Sequence, residues 1–424
     1  MRIRYSAEKN GRPIKKAIVY THDEHGIKFS DVDRDAVIIT ERLRSAGYET
    51  YIVGGAVRDL ILGKKPKDFD IVSSANPTRI KKLFRNARII GHRFRLVHVH
   101  AGPKIFEVST FRSLKDGPTS NTFGTIEEDV LRRDFSLNAL FYDPGKQIVI
   151  DYVDGMKDIR EKRIRPIIPL ATIFTDDPVR MIRAVKYGAT TGFKLPLALR
   201  WKIKKQSSLL ASVSPSRLTE EIFKIINSSS AALIVEKLED LKLYEYLQPN
   251  ASRLMKENPG FCGRYLDRLS KLNQGGPAGP AHPASSNKPG QKLAAFIQDF
   301  LELQVQFPEG NNTADWEGAK TTEHYKNAYI AVRAFVLPMN PPRVELDHAV
   351  RLIFADHGIT VKHFRLPMHG SRARAGAAGE SPDRERPVQA GPAPAAGEAP
   401  KKRRRRRRHK APGQSENPLP ETGE

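Results

Sequence analysis

Asp68 and Asp70 are the residues from which a function can be argued. They close the stretch YIVGGAVRDLILGKKPKDFDIV, residues 51–72, and follow a pair of glycines about a dozen positions earlier. Side chains on a strand alternate faces, so carboxylates at i and i+2 point the same way while Phe69 turns to the core. Two carboxylates side by side suit Mg²⁺, which takes oxygen ligands and bridges protein carboxylates to substrate phosphates. Gly54 and Gly55 stand between an apolar strand (Tyr51, Ile52, Val53) and a short helix from Ala56 to Leu62 that Gly63 stops. Glycines there let backbone N–H groups approach an anion, the helix N-terminus adds about half a positive charge, and Arg58 is in reach. A phosphate seat beside metal-binding carboxylates is the chemistry of nucleotidyl transfer. Singly, each part has a plainer reading, as a turn or a solvated strand edge, and the argument rests on their combination.

Further residues extend the site. The strand-like run IFEVSTFR places Glu107 on one face with Ile105 and Ser109, where a third carboxylate can bind metal or take the proton of an attacking hydroxyl. The plainer alternative is a surface Glu paired with Arg112. Arg132 and Arg133 suit a triphosphate through forked hydrogen bonds, and Asp134 can accept from a ribose hydroxyl; a solvated helix face is the competing reading. Asp177 and Arg180 stand three apart at the start of a helix that also carries Arg183, and can present one acceptor and one donor fork to a base edge. Adenine and cytosine offer an amino donor beside a ring-nitrogen acceptor, whereas guanine and uracil offer the reverse. An intrahelical salt bridge of a few tenths of a kcal/mol is the alternative.

The elements that must position these groups follow from local signals. Residues 1–29 are polar and weakly patterned, an N-terminal extension. Ser30-Asp31 supplies an N-cap for a helix with Val37, Ile38 and Leu43 at helical spacing, ending at Gly47. Asn76 caps a helix from Pro77 to about Phe84, and strands are expected at 87–90, 95–100 and 105–110. This alternation of strands and helices gives a sheet packed with helices. Residues 114–124 read as a mobile loop, and Thr125 to Glu128 as a capping box. Residues 148–165 read as a hairpin closing the first domain. Helices follow over 213–250 and from Lys292 to about Phe364, where Arg333, Arg343 and Arg351 are RNA-backbone candidates. Residues 273–290, NQGGPAGPAHPASSNKPG, form a low-complexity insertion.

Composition bounds the partners. The 424 residues carry 71 Lys+Arg against 48 Asp+Glu, a formal charge of +23. Residues 371–424 hold 13 basic and 7 acidic residues, a net of +6, so +17 remains in the rest. The excess points to a polyanion, nucleic acid rather than membrane. One cysteine, Cys262, excludes an intrachain disulfide and a multi-thiolate zinc site, and reads as a buried small apolar residue. No apolar run spans a membrane and no secretory leader is seen, so a cytoplasmic location is expected. The LPETG near the end lacks the hydrophobic segment of a sorting signal and reads as chance or a cloning remnant.

GGAVRD at 54–59, DFD at 68–70, RRD at 132–134 and DDPVRMIRA at 176–184 stand in the order seen in class II nucleotidyltransferases. The chain resembles that family, which comprises bacterial poly(A) polymerases and CCA-adding enzymes, strongly over about residues 30–225. The resemblance implies an α+β fold: a nucleotidyltransferase palm with a mixed β-sheet and helices over 30–165, a neck for base recognition over 166–227, and a helical, RNA-binding body over 228–368. It assigns Asp68 and Asp70 to metal binding and catalysis and Gly54, Gly55 and Arg58 to the triphosphate. Arg133 and Asp134 fall to nucleotide sugar and phosphate, and Asp177 with Arg180 to the base. Glu107 falls where the family has its third strand carboxylate, with Asp134 a competing catalytic candidate. Asp176 replaces the family's usual Glu. Residues 89–99, IIGHRFRLVHV, are similar to a segment marking the poly(A) polymerase branch, and GKKPKDFD at 63–70 leans the same way. The expected reaction is addition of AMP from ATP to RNA 3′ ends with two Mg²⁺ ions. CCA addition to tRNA and non-catalytic RNA binding are the alternatives. Residues 369–424 read as a disordered tail, in which Arg403, Arg404, Arg405, Arg406, Arg407 and Arg408 grip RNA phosphates without sequence preference.

Overall fold

The computed structural model describes residues 2–7, 13–91, 95–113, 122–272, 289–308, 316 and 318–361. Most of the expected mobile loop (114–121 of 114–124), most of the insertion (273–288), the tail with Arg403 to Arg408, and His92 to Phe94 of the branch-marking segment lie outside the described residues. The fold is α+β. Its strands are β1 Arg2–Ala7, β2 Pro13–Tyr20, β3 Thr50–Val53, β4 Asp70–Ser73, β5 Ala87–Ile90, β6 Leu96–Ala101, β7 Lys104–Thr110, β8 Leu140–Asp143 and β9 Ile148–Asp151. They form one mixed sheet in the order β1-β2-β9-β8-β3-β4-β7-β6-β5. Neighbours are antiparallel except β4 and β7, which run parallel with Ile71 opposite Val108.

Helices α1 His22–His25, α2 Arg34–Ser45, α3 Gly55–Ile61, α4 Pro77–Leu83, α5 Ile126–Leu131 and α6 Gly155–Arg160 accompany the sheet. The period-two alternation of the strands divides their apolar residues between two layers. Ile52, Ile71, Val97, Val99, Phe106 and Val108 share a core with Leu43, Leu60 and Ile80 of α2 to α4. Tyr51, Val53, Val72, Phe141 and Ile150 face the other way, against Ile126 and Val130 of α5. Each such burial contributes about 1.5–3 kcal/mol. The same alternation puts Asp70, which precedes Ile71, on the α5 side. Continuing the β4–β7 register one residue back sets Glu107 beside it.

Several boundaries differ from the sequence expectation. Within residues 1–29, strands β1 and β2 extend the sheet beyond β9, and Ala17 to Tyr20 are buried; the short run AIVY behind two lysines concealed this. Helix α2 is capped by Asp33, whose carboxylate accepts from Asp35 N at 2.9 Å, because the buried stripe begins only at Ala36; Phe29–Asp31 is a separate 3₁₀ turn. Residues 148–165 are not a hairpin. β8 and β9 form it, and α6 follows, started by the buried Asp151 carboxylate accepting from the backbone of Gly155 and Met156 at 3.0 Å each. The caps at Asn76 and Thr125 form as expected.

The rest of the described chain is helical: α7 Ile173–Asp176, α8 Val179–Thr191, α9 Leu197–Gln206, α10 Pro215–Ile226, α11 Ala231–Asp240, α12 Tyr244–Leu247, α13 Pro249–Glu257, α14 Pro259–Lys271, α15 Pro289–Gln304, α16 Gly318–Phe335 and α17 Arg343–Asp356. Pro289 and Gly290 belong to α15 and not to the insertion: proline suits a first helical turn, and a Cβ at Gly290 would meet the His348 ring at 2.5 Å. Arg351 donates to Asp347 at 2.8 Å and to the Val361 carbonyl at 2.8 Å. Cys262 is half-buried, not fully buried. Among the described residues, no helix is long and apolar enough to cross a membrane.

Candidate active site

Strand β3 runs antiparallel to β4 with Val53 opposite Asp70, so the turn that follows Val53 is delivered onto that carboxylate. Gly54 takes φ of 73°, in the left-handed region, and a Cβ there would lie 3.6 Å from Asp70 Oδ2. That contact is an ordinary one, so the glycine serves the backbone conformation. Asp68 falls two residues ahead of β4 in irregular chain, so the aspartates are not two positions of one strand. Lys67 pins this approach segment by donating to the Asn227 carbonyl at the end of α10, 2.9 Å away.

Asp70 opens onto a cavity of about 570 Å³. Surrounding protein, then the negative charges of Glu107 and Asp68, push its carboxyl up to about 6 against the pull of Arg133. Three carboxylates therefore feel one another here. Glu107 is exposed and pairs with His98 of β6 at 3.5 Å, not with Arg112. Among the described residues, no three His, Cys, Asp or Glu side chains are grouped to hold a metal. Mg²⁺ bound to phosphates needs only one or two protein carboxylates, and the mutual repulsion at Asp70 is what a cation relieves, so this donor set fits the ion.

The cavity wall is dominated by Arg112, Arg132, Arg133, Arg180, Arg183 and Arg217, set against Asp70, Asp134, Asp176 and Asp177. Arg132 and Arg133 lie in the turn that ends α5. Arg133 forks onto Asp129 at 2.9 and 3.2 Å and donates to the Asn138 carbonyl at 3.1 Å. Burial, and then the adjacent Arg112 charge, lower the Arg132 guanidinium to about 10. Burial lowers Arg112 and Arg180 as well. Cations that burial disfavours make a strong seat for a polyphosphate, whose charge reverses the penalty.

Arg58 is not part of this wall. Its guanidinium holds Asp59 at 2.8 Å and the Asn138 side-chain oxygen at 2.8 Å, and lies over the Tyr187 ring. Its place is to orient Asn138, which does line the cavity. The 3₁₀ turn Ser136–Asn138 is fixed from below by the fully buried Asp158, which accepts from Ser136 Oγ at 2.6 Å and from Arg163 and Arg165. Asp134 accepts from Phe135 N at 3.0 Å and from Arg183 at 3.5 Å. Arg183 is also 3.6 Å from the buried Glu221, where Lys186 at 2.9 Å and Lys224 at 3.2 Å converge.

Asp177 and Arg180 both face the cavity, but not as an intrahelical pair. The chain breaks at Asp177, extended ahead of Pro178, between the single turn α7 and the longer α8. Arg180 donates to the Ile173 carbonyl at 3.1 Å, while the Asp177 oxygens accept from Arg217 at 2.9 and 3.0 Å. Arg217, Asn138, Tyr187 and Arg112 are cavity residues that sequence reasoning missed or placed elsewhere. Arg217 alone had a signal, an arginine in the first turn of a helix opened by Ser214-Pro215.

Comparison with known proteins places this geometry. Residues 50–165 match the family described as Poly A polymerase head domain, and residues 192–255 match the probable RNA and SrmB-binding site of polymerase A. The chain is 40% identical over 256 residues to poly(A) polymerase I of Salmonella typhi, covering 57% of this chain and 55% of that one. It is 41% identical to the enzyme of the same name from Escherichia coli O6:H1, with the same coverage. A CCA-adding enzyme of Bacillus pumilus is 35% identical, over 56% of this chain and 61% of that protein. Residues 50–165 and 192–255 are therefore similar to the head and the probable RNA-binding segment of poly(A) polymerases, and the chain as a whole is similar to both poly(A) polymerases and CCA-adding enzymes. It spans about half the length of the curated poly(A) polymerases it matches.

Proposed function

We propose that this chain is a template-independent nucleotidyltransferase that adds AMP from ATP to RNA 3′ ends. The observation that carries the reading is an arginine-walled cavity lined by Gly54, Gly55 and Asp70 and also by Asp177 and Arg180. Arg132, Arg133 and Arg183 take the triphosphate, and Gly54 and Gly55 allow it to approach the backbone. Asp177, with its carboxylate fixed by Arg217, accepts from the exocyclic amine of adenine, and Arg180 donates to the neighbouring ring nitrogen. This edge serves cytosine equally and rejects guanine and uracil. Asp68 and Asp70 hold Mg²⁺, which when bound supplies charge neutralisation at the phosphates and acidifies the RNA 3′ hydroxyl. The 3′ oxygen forms a bond to the α-phosphorus as the α–β phosphoanhydride bond breaks and pyrophosphate leaves. We assign the released proton to Glu107, the carboxylate set beside Asp70 across β4 and β7. Asp134, tied to Arg183 and to the Phe135 amide, positions that arginine.

Adenylation is favoured over CCA addition by the higher identity to poly(A) polymerases, 40% against 35%. The test offers purified protein oligo(A) and a tRNA lacking its 3′ end, with ATP or CTP separately. A long ATP-dependent ladder on oligo(A) is expected. CTP incorporation on tRNA that stops after two or three nucleotides would transfer the chain to the CCA-adding branch.

A further inference from the structure

Between Asp177 and Glu220 the sequence holds no acidic residue, yet contains nine Lys and Arg. At the centre of this segment, α9 buries Leu199 and Ile203 and turns the opposite stripe, Leu197, Trp201, Lys204 and Lys205, to solvent. Positions i, i+4, i+7 and i+8 share one helical face. Trp201 is 62% exposed, an unusual position for so large an apolar ring. Lys205 Nζ lies 4.8 Å from its centroid. Arg200, Lys202, Lys204 and Lys205 make no side-chain hydrogen bond or ion pair among the described residues, whereas the cavity arginines 133, 183 and 217 are all paired. An exposed ring in a field of unpaired cations matches one ligand class: a single strand of nucleic acid stacks a base on the aromatic face while the cations follow its phosphates. A duplex keeps its base faces covered.

We infer that the exposed stripe of α9 is a docking surface for single-stranded RNA outside the catalytic cavity, with Trp201 as its stacking platform. The inference rests on the reading of RNA as substrate and names where a strand is gripped. It is tested on the full chain by titrating fluorescein-labelled oligo(A) without ATP or Mg²⁺, so that no turnover intervenes. Trp201→Ala should weaken binding by about 5- to 100-fold, the range of one base–aromatic stack, and Trp201→Phe should retain most of it. Lys204→Glu with Lys205→Glu should flatten the dependence of log K on log salt by about 1.4 or more, two phosphate contacts on a single strand. A duplex of equal length should compete poorly. AMP addition at saturating RNA should keep its kcat in Trp201→Ala while the KM for RNA rises, which separates this surface from the cavity. Unchanged oligo(A) affinity in Trp201→Ala, or equal competition by duplex, overturns the inference even if adenylation is confirmed. Weaker oligo(A) binding by Trp201→Ala with no adenylation in the parent protein would sink the enzyme reading alone.

Discussion

Glu221 offers a quantitative handle on how the cavity is held together. It is 2% exposed and draws in Lys186, Lys224 and Arg183, the last of which reaches across to Asp134 at the cavity wall. Burial alone would raise its carboxyl; the three cations outweigh that and bring it to about 2 from 4.5. At 1.36 kcal/mol per pH unit this is worth about 3 kcal/mol of stability. Lys186 tempers the figure, since burial, with help from Lys224 and Arg183, leaves its ammonium below the ordinary value despite Glu221, so we take about 2–3 kcal/mol for the cluster. Glu221→Gln removes the counter-charge and leaves the cations facing one another. Its thermal midpoint at pH 7 should fall by about 5 °C. Because the folded carboxyl is depressed, the stabilisation is complete above pH 4.5 and fades as pH falls toward 2, so the gap between parent and variant must narrow on acidification. Arg183, released from one anchor, should also bind ATP less well. Scanning calorimetry from pH 7 downward is the assay. A midpoint within about 1 °C of the parent at pH 7, or a gap that widens with acid, refutes the reasoning.

Three further outcomes follow from the site. Gly54→Ala forces a side chain into a backbone region costing about 1–3 kcal/mol in the turn that leads onto Asp70, so both the urea midpoint and AMP addition should drop; an unchanged midpoint would show the turn to be relaxed. Protons compete with Mg²⁺ for Asp70, whose carboxyl burial and then Glu107 push up to about 6, so calorimetric Mg²⁺ affinity should rise as pH goes from 5 to 7, and Glu107→Gln should move that rise to lower pH by removing the second of those two causes. Asp177→Ala, losing a charged acceptor, should cut the preference for ATP over GTP by about 10- to 100-fold in single-nucleotide incorporation, and retained selectivity would remove Asp177 from base recognition.

The head was legible where a local signal and its tertiary use coincide. The caps at Asn76 and Thr125, the Gly54 turn and the alternation in 96–110 all read directly, because one residue type satisfies one geometric need. β1 and β2 did not, since arginine and lysine interrupt their short apolar runs, although only β1 is the sheet edge and β2 lies between it and β9. The site shows the same division. Asp70, Asp134, Asp177 and Arg180 announce themselves by spacing and reach a common cavity. Asn138 and Arg217 arrive from distant elements, held by Arg58 and Asp177 through contacts between residues 80 and 40 positions apart, which no window of sequence reveals. Arg58 shows the converse: a motif arginine whose partners turn it into support for another residue. Asp68 lies off the strand where Lys67 ties the approach to β4 against the end of α10, a tertiary constraint invisible to period-two reasoning.

The most direct measurement is the transfer of label from α-labelled ATP to an RNA primer by the parent protein and by Asp70→Ala, with primer affinity recorded for both. The account predicts an extending ladder for the parent, loss of at least about a thousandfold in the variant, the scale of removing a metal-holding catalytic group, and primer binding within about twofold of each other. Extension by Asp70→Ala at a rate near the parent's would contradict it.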